Sequence, residues 1–265
     1  MLLLALSGAD RAQAQDTTRP FAPLIADPKQ PHFFAAWLWV SSPMLTSQVS
    51  NIGLGEDIKL ASGAASRWEI SVAAGVFAQF NMGTSSNDLI NTDFTIGLPL
   101  VYRAPLATLR LKLYHQSSHL GDEFVLATTP TRVNLSFEAI ELLAARELGG
   151  AGGPVRVYGG GEYIVRHEPA DLKPGLLHAG LEFRQPRRSP RGARVIAAVD
   201  AKSSEERKWR VGWSGRVGWE FRVTIRGATV RPFSVQLQGY TGPAPYGQFY
   251  QENVRSIGAG IHLAL

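Results

Sequence analysis

The sequence predicts a transmembrane antiparallel up-and-down β-barrel of about twelve strands. Three observations predict it. The first is the run Trp209–Arg222, which alternates without a break. Trp209, Val211, Trp213, Gly215, Val217, Trp219 and Phe221 form one face, and Arg210, Gly212, Ser214, Arg216, Gly218, Glu220 and Arg222 the other. Period-two alternation belongs to a strand whose faces meet different environments. Trp on one face and Gly with Arg on the other suits lipid outside and a polar lumen inside. The second observation is recurrence of this pattern along the chain. The third is that no stretch approaches the ~20 apolar residues that a spanning helix needs.

The strands are expected near 33–41, 48–60, 67–82, 89–103, 107–119, 131–145, 154–167, 174–185, 193–203, 207–223, 231–241 and 254–265. In the third, Trp68, Ile70, Val72, Ala74, Val76, Ala78 and Phe80 share the apolar register. In the fourth, Ile90, Phe94, Ile96, Leu98, Leu100 and Tyr102 do so. The last sets Ile257, Ala259, Ile261 and Leu263 against Ser256, Gly258, Gly260 and His262. Lumen positions carry both charge signs: Arg67, Glu69, Asp93, Arg110, Lys112, Glu138, Arg156, Glu162, Glu182, Arg184, Arg210, Arg216 and Glu220. Long side chains of mixed sign predict salt-bridged packing rather than a wide pore. Trp37, Trp39, Trp68, Tyr102, Trp209, Trp219 and Phe221 are the expected interfacial girdle.

Three regions precede or make up the barrel. Residues 1–14 read as a signal peptide, a short apolar run followed by Ala12-Gln-Ala14, with the true start placed upstream because the basic region is missing. Residues 15–32 form a Pro-rich extended segment, with Pro20, Pro23, Pro28 and Pro31. Residues 33–265 are the barrel. A signal with no later spanning helix predicts export to the outer membrane of a Gram-negative cell. The implied partners are outer-membrane lipid or lipopolysaccharide and, during insertion, the barrel-assembly machinery. The formal net charge is +5 and there is no Cys. The basic residues interleave with Gly and Glu, and the one dense run, Arg184–Arg191, is Pro-broken and reads as a solvated turn between strands, so the pattern does not point to nucleic acid. The links 120–130 and 242–252 are longer than the others, and barrels of this type place long loops outside and short turns in the periplasm.

One strand departs from the pattern. Leu109, Leu111 and Leu113 share a register with His115, Ser117 and His119. Polar groups are thereby predicted on the lipid face, near its outer edge, where they are costly unless interfacial or functional. A His two positions from a Ser on one face can act as its general base, with a carboxylate orienting the ring. Asp122 and Glu123 are the candidate orienters, with Asn134 a weaker one that requires a bulge to face outward. Tyr114, Ser118 and His119 complete the polar cluster. A divalent cation at His115, His119, Asp122 and Glu123 is a further option. Two His four apart on a strand are ~13 Å apart, so a shared ion demands a bulge. No cofactor motif is present.

Tyr114-His-Gln-Ser117 resembles the His-x-Ser element of outer-membrane phospholipase A and the lipid A deacylases. In those barrels the Ser nucleophile and His base lie on the outside wall, and the resemblance carries these roles to Ser117 and His115. Three longer segments, Leu24-Ile-Ala-Asp-Pro28, Gly97-Leu-Pro-Leu-Val-Tyr-Arg103 and Leu113–Phe124, resemble a bacterial envelope family known only as a domain of unknown function. That resemblance implies an outer-membrane-type barrel and no particular activity. Three functions follow as expectations: a barrel without catalysis, structural or narrowly permeable; a Ser/His hydrolase of outer-leaflet lipid acyl chains using the Tyr114–Glu123 segment; and a small-solute pore.

Overall fold

A computed structural model describes residues 20–63, 67–130, 133–149, 153–187, 192–222, 224–225, 228–229 and 232–263. The expected signal peptide lies outside these residues. Twelve antiparallel strands close into one barrel, each paired with its neighbour in sequence and the last with the first. They are β1 (Phe33–Ser41), β2 (Thr46–Ser62), β3 (Trp68–Asn81), β4 (Leu89–Arg103), β5 (Thr108–Leu120), β6 (Leu135–Leu148), β7 (Val155–Glu168), β8 (Gly175–Arg184), β9 (Arg194–Ser204), β10 (Val211–Phe221), β11 (Phe233–Pro243) and β12 (Asn253–Leu263). Closure leaves no unpaired edge, which an apolar bilayer demands of any sheet it surrounds. A two-residue hairpin, Thr224–Ile225 with Ala228–Thr229, stands apart between β10 and β11. No helix among the described residues is long and apolar enough to cross a membrane.

The outer wall is apolar. Leu98, Leu113, Leu142, Leu181, Trp213, Val217, Trp219, Leu237 and Ile261 all face outward and are exposed. Their strand neighbours point inward and are buried: in β10 these are Gly212, Ser214, Arg216, Gly218 and Glu220. The seam is formed by β1 and β12, with Phe34 opposite His262 and Trp37 opposite Ala259. Inward glycines make room for large neighbours. A Cβ at Gly53 would sit 2.1 Å from the Phe34 ring.

The lumen is filled, and most of its charges are paired. Arg110 Nη2 donates to Glu141 at 2.9 Å, Arg156 donates to Glu182 at 2.5 Å, and His178 Nε2 lies 2.6 Å from Asp200. Arg187 and Arg194 both reach Glu220. The larger filling is chain itself. Pro20–His32, expected only as an extended lead-in, lies inside the barrel, with Leu24, Ile25 and Ala26 fully buried. It has no regular structure, so its backbone groups need partners from the wall. The wall supplies them. Arg156 donates to the carbonyls of Ala22 and Pro23 at 2.8 and 3.0 Å, Arg216 to that of Ile25 at 2.8 Å, and Ile25 N–H to Glu182 at 2.6 Å. Lys202 pairs with Asp27 at 2.7 Å, and Lys29 with Asp93. Phe21 packs beneath the Arg110 guanidinium, 4.6 Å from its ring centre. At Gly55 the segment passes so close that a Cβ would meet the Pro31 and His32 backbone at about 3.0 Å.

The two long links fold inward at the end of the barrel opposite the start of β1 and the end of β12. One carries a short helix, α1 (Asp122–Thr128), whose Phe124 is buried. Phe124, Tyr246 and Phe249 join Leu38, Val40, Val49 and Ile90 in an apolar cluster that covers the lumen at that end.

Two measurements check this packing. Val217→Arg on the outer wall should destabilise the barrel by about 2–4 kcal/mol if the position sits near the bilayer midplane, measured by reversible denaturant unfolding in lipid vesicles. The second concerns His32, whose Nδ1–H donates to the Gln30 carbonyl at 2.7 Å and whose Nε2 lies 2.9 Å from His262 Nδ1. Burial, then the nearby Arg216 charge, hold its pKa down at about 3. Docked, it is neutral; released into water, it protonates below its ordinary value of about 6.5. Between those values the released segment binds the extra proton, so docking weakens by up to about tenfold per pH unit as the pH falls. A spin label at Ala22→Cys should gain mobility on acidification, and His32→Asn should flatten that response.

Candidate active site on the outer wall

The departure in β5 is real. Arg110, Lys112, Tyr114, Gln116 and Ser118 point into the barrel, while His115, Ser117 and His119 project outward beyond the Leu109, Leu111 and Leu113 stripe. Ser117 stands three residues before the end of the strand, in the half of the wall away from the chain termini. Registers place Ser117 opposite Phe94 on β4 and Ser136 on β6. They place His115 opposite Ile96 and Glu138.

Glu138 is the residue that the sequence pattern misplaces. Alternation assigns it to the lumen face, but it faces outward and its Oε1 accepts from His115 Nδ1 at 3.1 Å. The two side chains are about 40% exposed, at 39% and 41%. The misassignment has a physical cause. The inward register of β6 is Leu135, Phe137, Ala139, Glu141 and Leu143, nearly all apolar, because it packs against interior chain rather than water. Leu143 meets Phe21 and Leu24, and Leu135 and Phe137 meet Leu172 and Tyr250. With both faces apolar, alternation does not distinguish them. The clue available in the sequence is Glu141, whose charge fits only the lumen and fixes the opposite face for Glu138 by parity.

With Nδ1–H held by a carboxylate, the lone pair of the neutral ring sits on Nε2. Ser117 Oγ has no hydrogen-bond partner among the described residues. An outward Ser, an outward His two positions away and a carboxylate on the next strand thus share one patch. Beside it runs a shallow apolar groove of about 290 Å³ lined by Leu54, Val76, Phe94, Ile96 and His115. His119 packs edge-on against Phe94, with ring centres 5.9 Å apart.

The other expected members lie elsewhere. Asp122 and Glu123 occupy the first turn of α1, beyond the end of β5, and are exposed. Asn134 Nδ2 donates to Glu168. Tyr114 points inward over Lys112, and Ser118 points inward to Asp93. Asp93 is fully buried and gathers Ser118, Lys29 and the Gly247 N–H, the last at 2.9 Å. Gln248 adds bonds to the Ser118 and Val133 carbonyls at 2.7 and 2.9 Å. Position 247 must be Gly, since a Cβ there would lie 2.6 Å from that of Ser118. The strand end carrying Ser117 is therefore braced from behind. No group of three or more His, Asp or Glu side chains able to hold a metal ion is found among the described residues.

A closed, lipid-faced barrel with a polar patch on its outer wall defines a transmembrane β-barrel of the outer-membrane type. The chain belongs to the family described as "Protein of unknown function (DUF1207)", whose model matches residues 12–265. Comparison with curated proteins gives no sequence match. Among solved structures, the fold is similar to outer membrane phospholipase A from Escherichia coli, with 13% identity, a TM-score of 0.55 and 94% of each chain covered. It is also similar to the calcium-bound dimer of the Salmonella typhi outer membrane phospholipase, with 13% identity, a TM-score of 0.57 and 96% of each chain covered. At these identities the likeness is one of fold.

Asp93→Ala should leave Lys29 buried without its carboxylate and free the Gly247 N–H. The expected cost is about 3–5 kcal/mol, accompanied by faster proteolysis within 244–252.

Proposed function

We propose that this protein is a serine hydrolase of lipid acyl esters, acting from the outer wall of an outer-membrane barrel on the surrounding leaflet. The hydrogen bond between outward-facing His115 and Glu138, two positions from outward-facing Ser117, is the observation that carries the reading. A lipid-facing carboxylate and imidazole are expensive in a membrane wall, and a charge-relay pair beside a free hydroxyl gives that cost a purpose.

The chemistry runs through these three side chains. His115 Nε2 removes the Ser117 hydroxyl proton as Oγ attacks the ester carbonyl carbon. Glu138 holds the ring by Nδ1–H and stabilises the imidazolium that forms. The tetrahedral intermediate collapses, the C–O bond to the lysolipid breaks, and His115 protonates the leaving oxygen. Water, deprotonated by His115, then cleaves the acyl–Ser117 ester and releases a fatty acid. The groove lined by Leu54, Val76, Phe94 and Ile96 suits an acyl chain lying against the wall. Outer-leaflet phospholipid or lipopolysaccharide is the substrate class, and insertion would use the barrel-assembly machinery.

The test is fatty-acid release by the refolded protein in phospholipid mixed micelles. Ser117→Ala and His115→Ala should abolish turnover, and Glu138→Ala should lower kcat by about 10²-fold or more. Asp122→Ala and Glu123→Ala should leave it within a factor of about two. Release that persists in Ser117→Ala, or no release from phospholipid or lipid A in the intact protein, overturns the proposal.

A further inference from the structure

A second site lies inside the barrel, independent of the outer wall. Arg110, Arg156, Arg184, Arg187 and Arg194 each pair with a glutamate in the lumen. Arg216 does not. It is buried, its Nη1 donates to the Ile25 carbonyl and lies 3.4 Å from His262 Nδ1, and no carboxylate is within ion-pair distance among the described residues. A guanidinium left without an anion in a low-dielectric interior is costly.

Arg216 lines the floor of a cavity of about 80 Å³, together with Ser214, Asn51, Gln238 and Pro28 at the tip of the interior segment. Asn51 is 6% exposed. Its Nδ2 donates to Tyr246 Oη, while its Oδ1, like Gln238 Oε1, has no partner. Whichever way the Asn51 amide is turned, one of its two head atoms is left over. Above this floor the walls are apolar: Leu38, Val40, Val49, Ile90, Phe124 and Val254. The mouth lies between the β1–β2 turn, at Met44 and Leu45, and the β11–β12 link, at Phe249 and Glu252.

A cationic, hydrogen-bonding floor under apolar walls matches one chemistry, an anion with an apolar tail. We infer that this cavity binds a short-chain fatty carboxylate, or the carboxylate end of a longer one, head-down on Arg216 with its chain against Leu38, Val40 and Val254. A carboxylate supplies Arg216 with the charge partner it lacks and is met bidentately by a guanidinium. With the Asn51 amide turned so that its Oδ1 accepts from the Tyr246 hydroxyl, its Nδ2 donates to the same carboxylate. The volume suits a ligand of a few heavy atoms below the mouth. Because Arg216 also holds Ile25, an occupant of this site adjoins the interior segment.

The experiment is calorimetric titration of the refolded protein in lipid nanodiscs with hexanoate, and with hexanol, hexylamine and acetate beside it. Hexanoate should bind, and the other three should bind about tenfold more weakly or worse, since each lacks either the charge, its sign or the chain. Arg216→Gln should weaken hexanoate by about tenfold or more, and Arg216→Lys should keep the preference for hexanoate over hexanol. Val254→Trp fills the wall without touching the floor and should block binding while the Ala22 spin label still reports a docked segment. Equal binding of hexanoate and hexanol, undiminished binding in Val254→Trp, or no heat from millimolar hexanoate overturns the inference. The Ser117→Ala protein should bind hexanoate like the parent, which separates this site from the hydrolase reading.

Discussion

A closed barrel solves the backbone problem of the membrane and creates another, an interior too wide for twelve strands' side chains to fill alone. Pro20–His32 fills it. Nearly every feature of the lumen is shaped by that segment's lack of regular structure, because its free carbonyls and N–H groups must be met from the wall. Arg156, Arg184 and Arg216 serve them, Glu182 receives Ile25, and the Asp27–Lys202 and Lys29–Asp93 pairs fasten its tip. The mixed charges of the lumen are the complement of an irregular peptide rather than the lining of a broad channel.

The same interior reaches the outer wall. Asp93 binds Lys29 from the segment, Ser118 from β5 and Gly247 from the loop end at one point. Ser118 is the inward neighbour of outward Ser117. One residue of strand thus separates a lumen anchor from the candidate nucleophile, and the alternation of the pleat turns one to packing and the other to lipid. The proposed hydrolase patch would need rigid support, and polar contacts on the opposite face of the same strand supply it.

The barrel was legible in the sequence because lipid and lumen impose opposite demands on alternate residues, and runs such as Val211–Phe221 record both. All twelve strands overlap the spans expected of them, although β6 and β10 begin at Leu135 and Val211, later than their patterns. β10 is shorter than its pattern because Lys208 and Trp209 adopt left-handed backbone in the turn before it. The outward turn of His115, Ser117 and His119 was equally legible, since three leucines fixed the register. Glu138 was not, because β6 buries apolar residues inward as well as outward. The interior role of Pro20–His32 was hidden too. A segment with four prolines and no period gives no sign of what surrounds it, and the wall groups that meet its backbone at Ala22 and Ile25 lie more than a hundred residues away.

His32 touches His262 across 230 residues of sequence. The first belongs to the segment joined directly to β1, the second to β12, and β1 and β12 are the strands that meet last along the chain. The contact forms only when the two ends of the sheet come together. The interior peptide is therefore seated against the strand that closes the barrel as well as against the one it leads into.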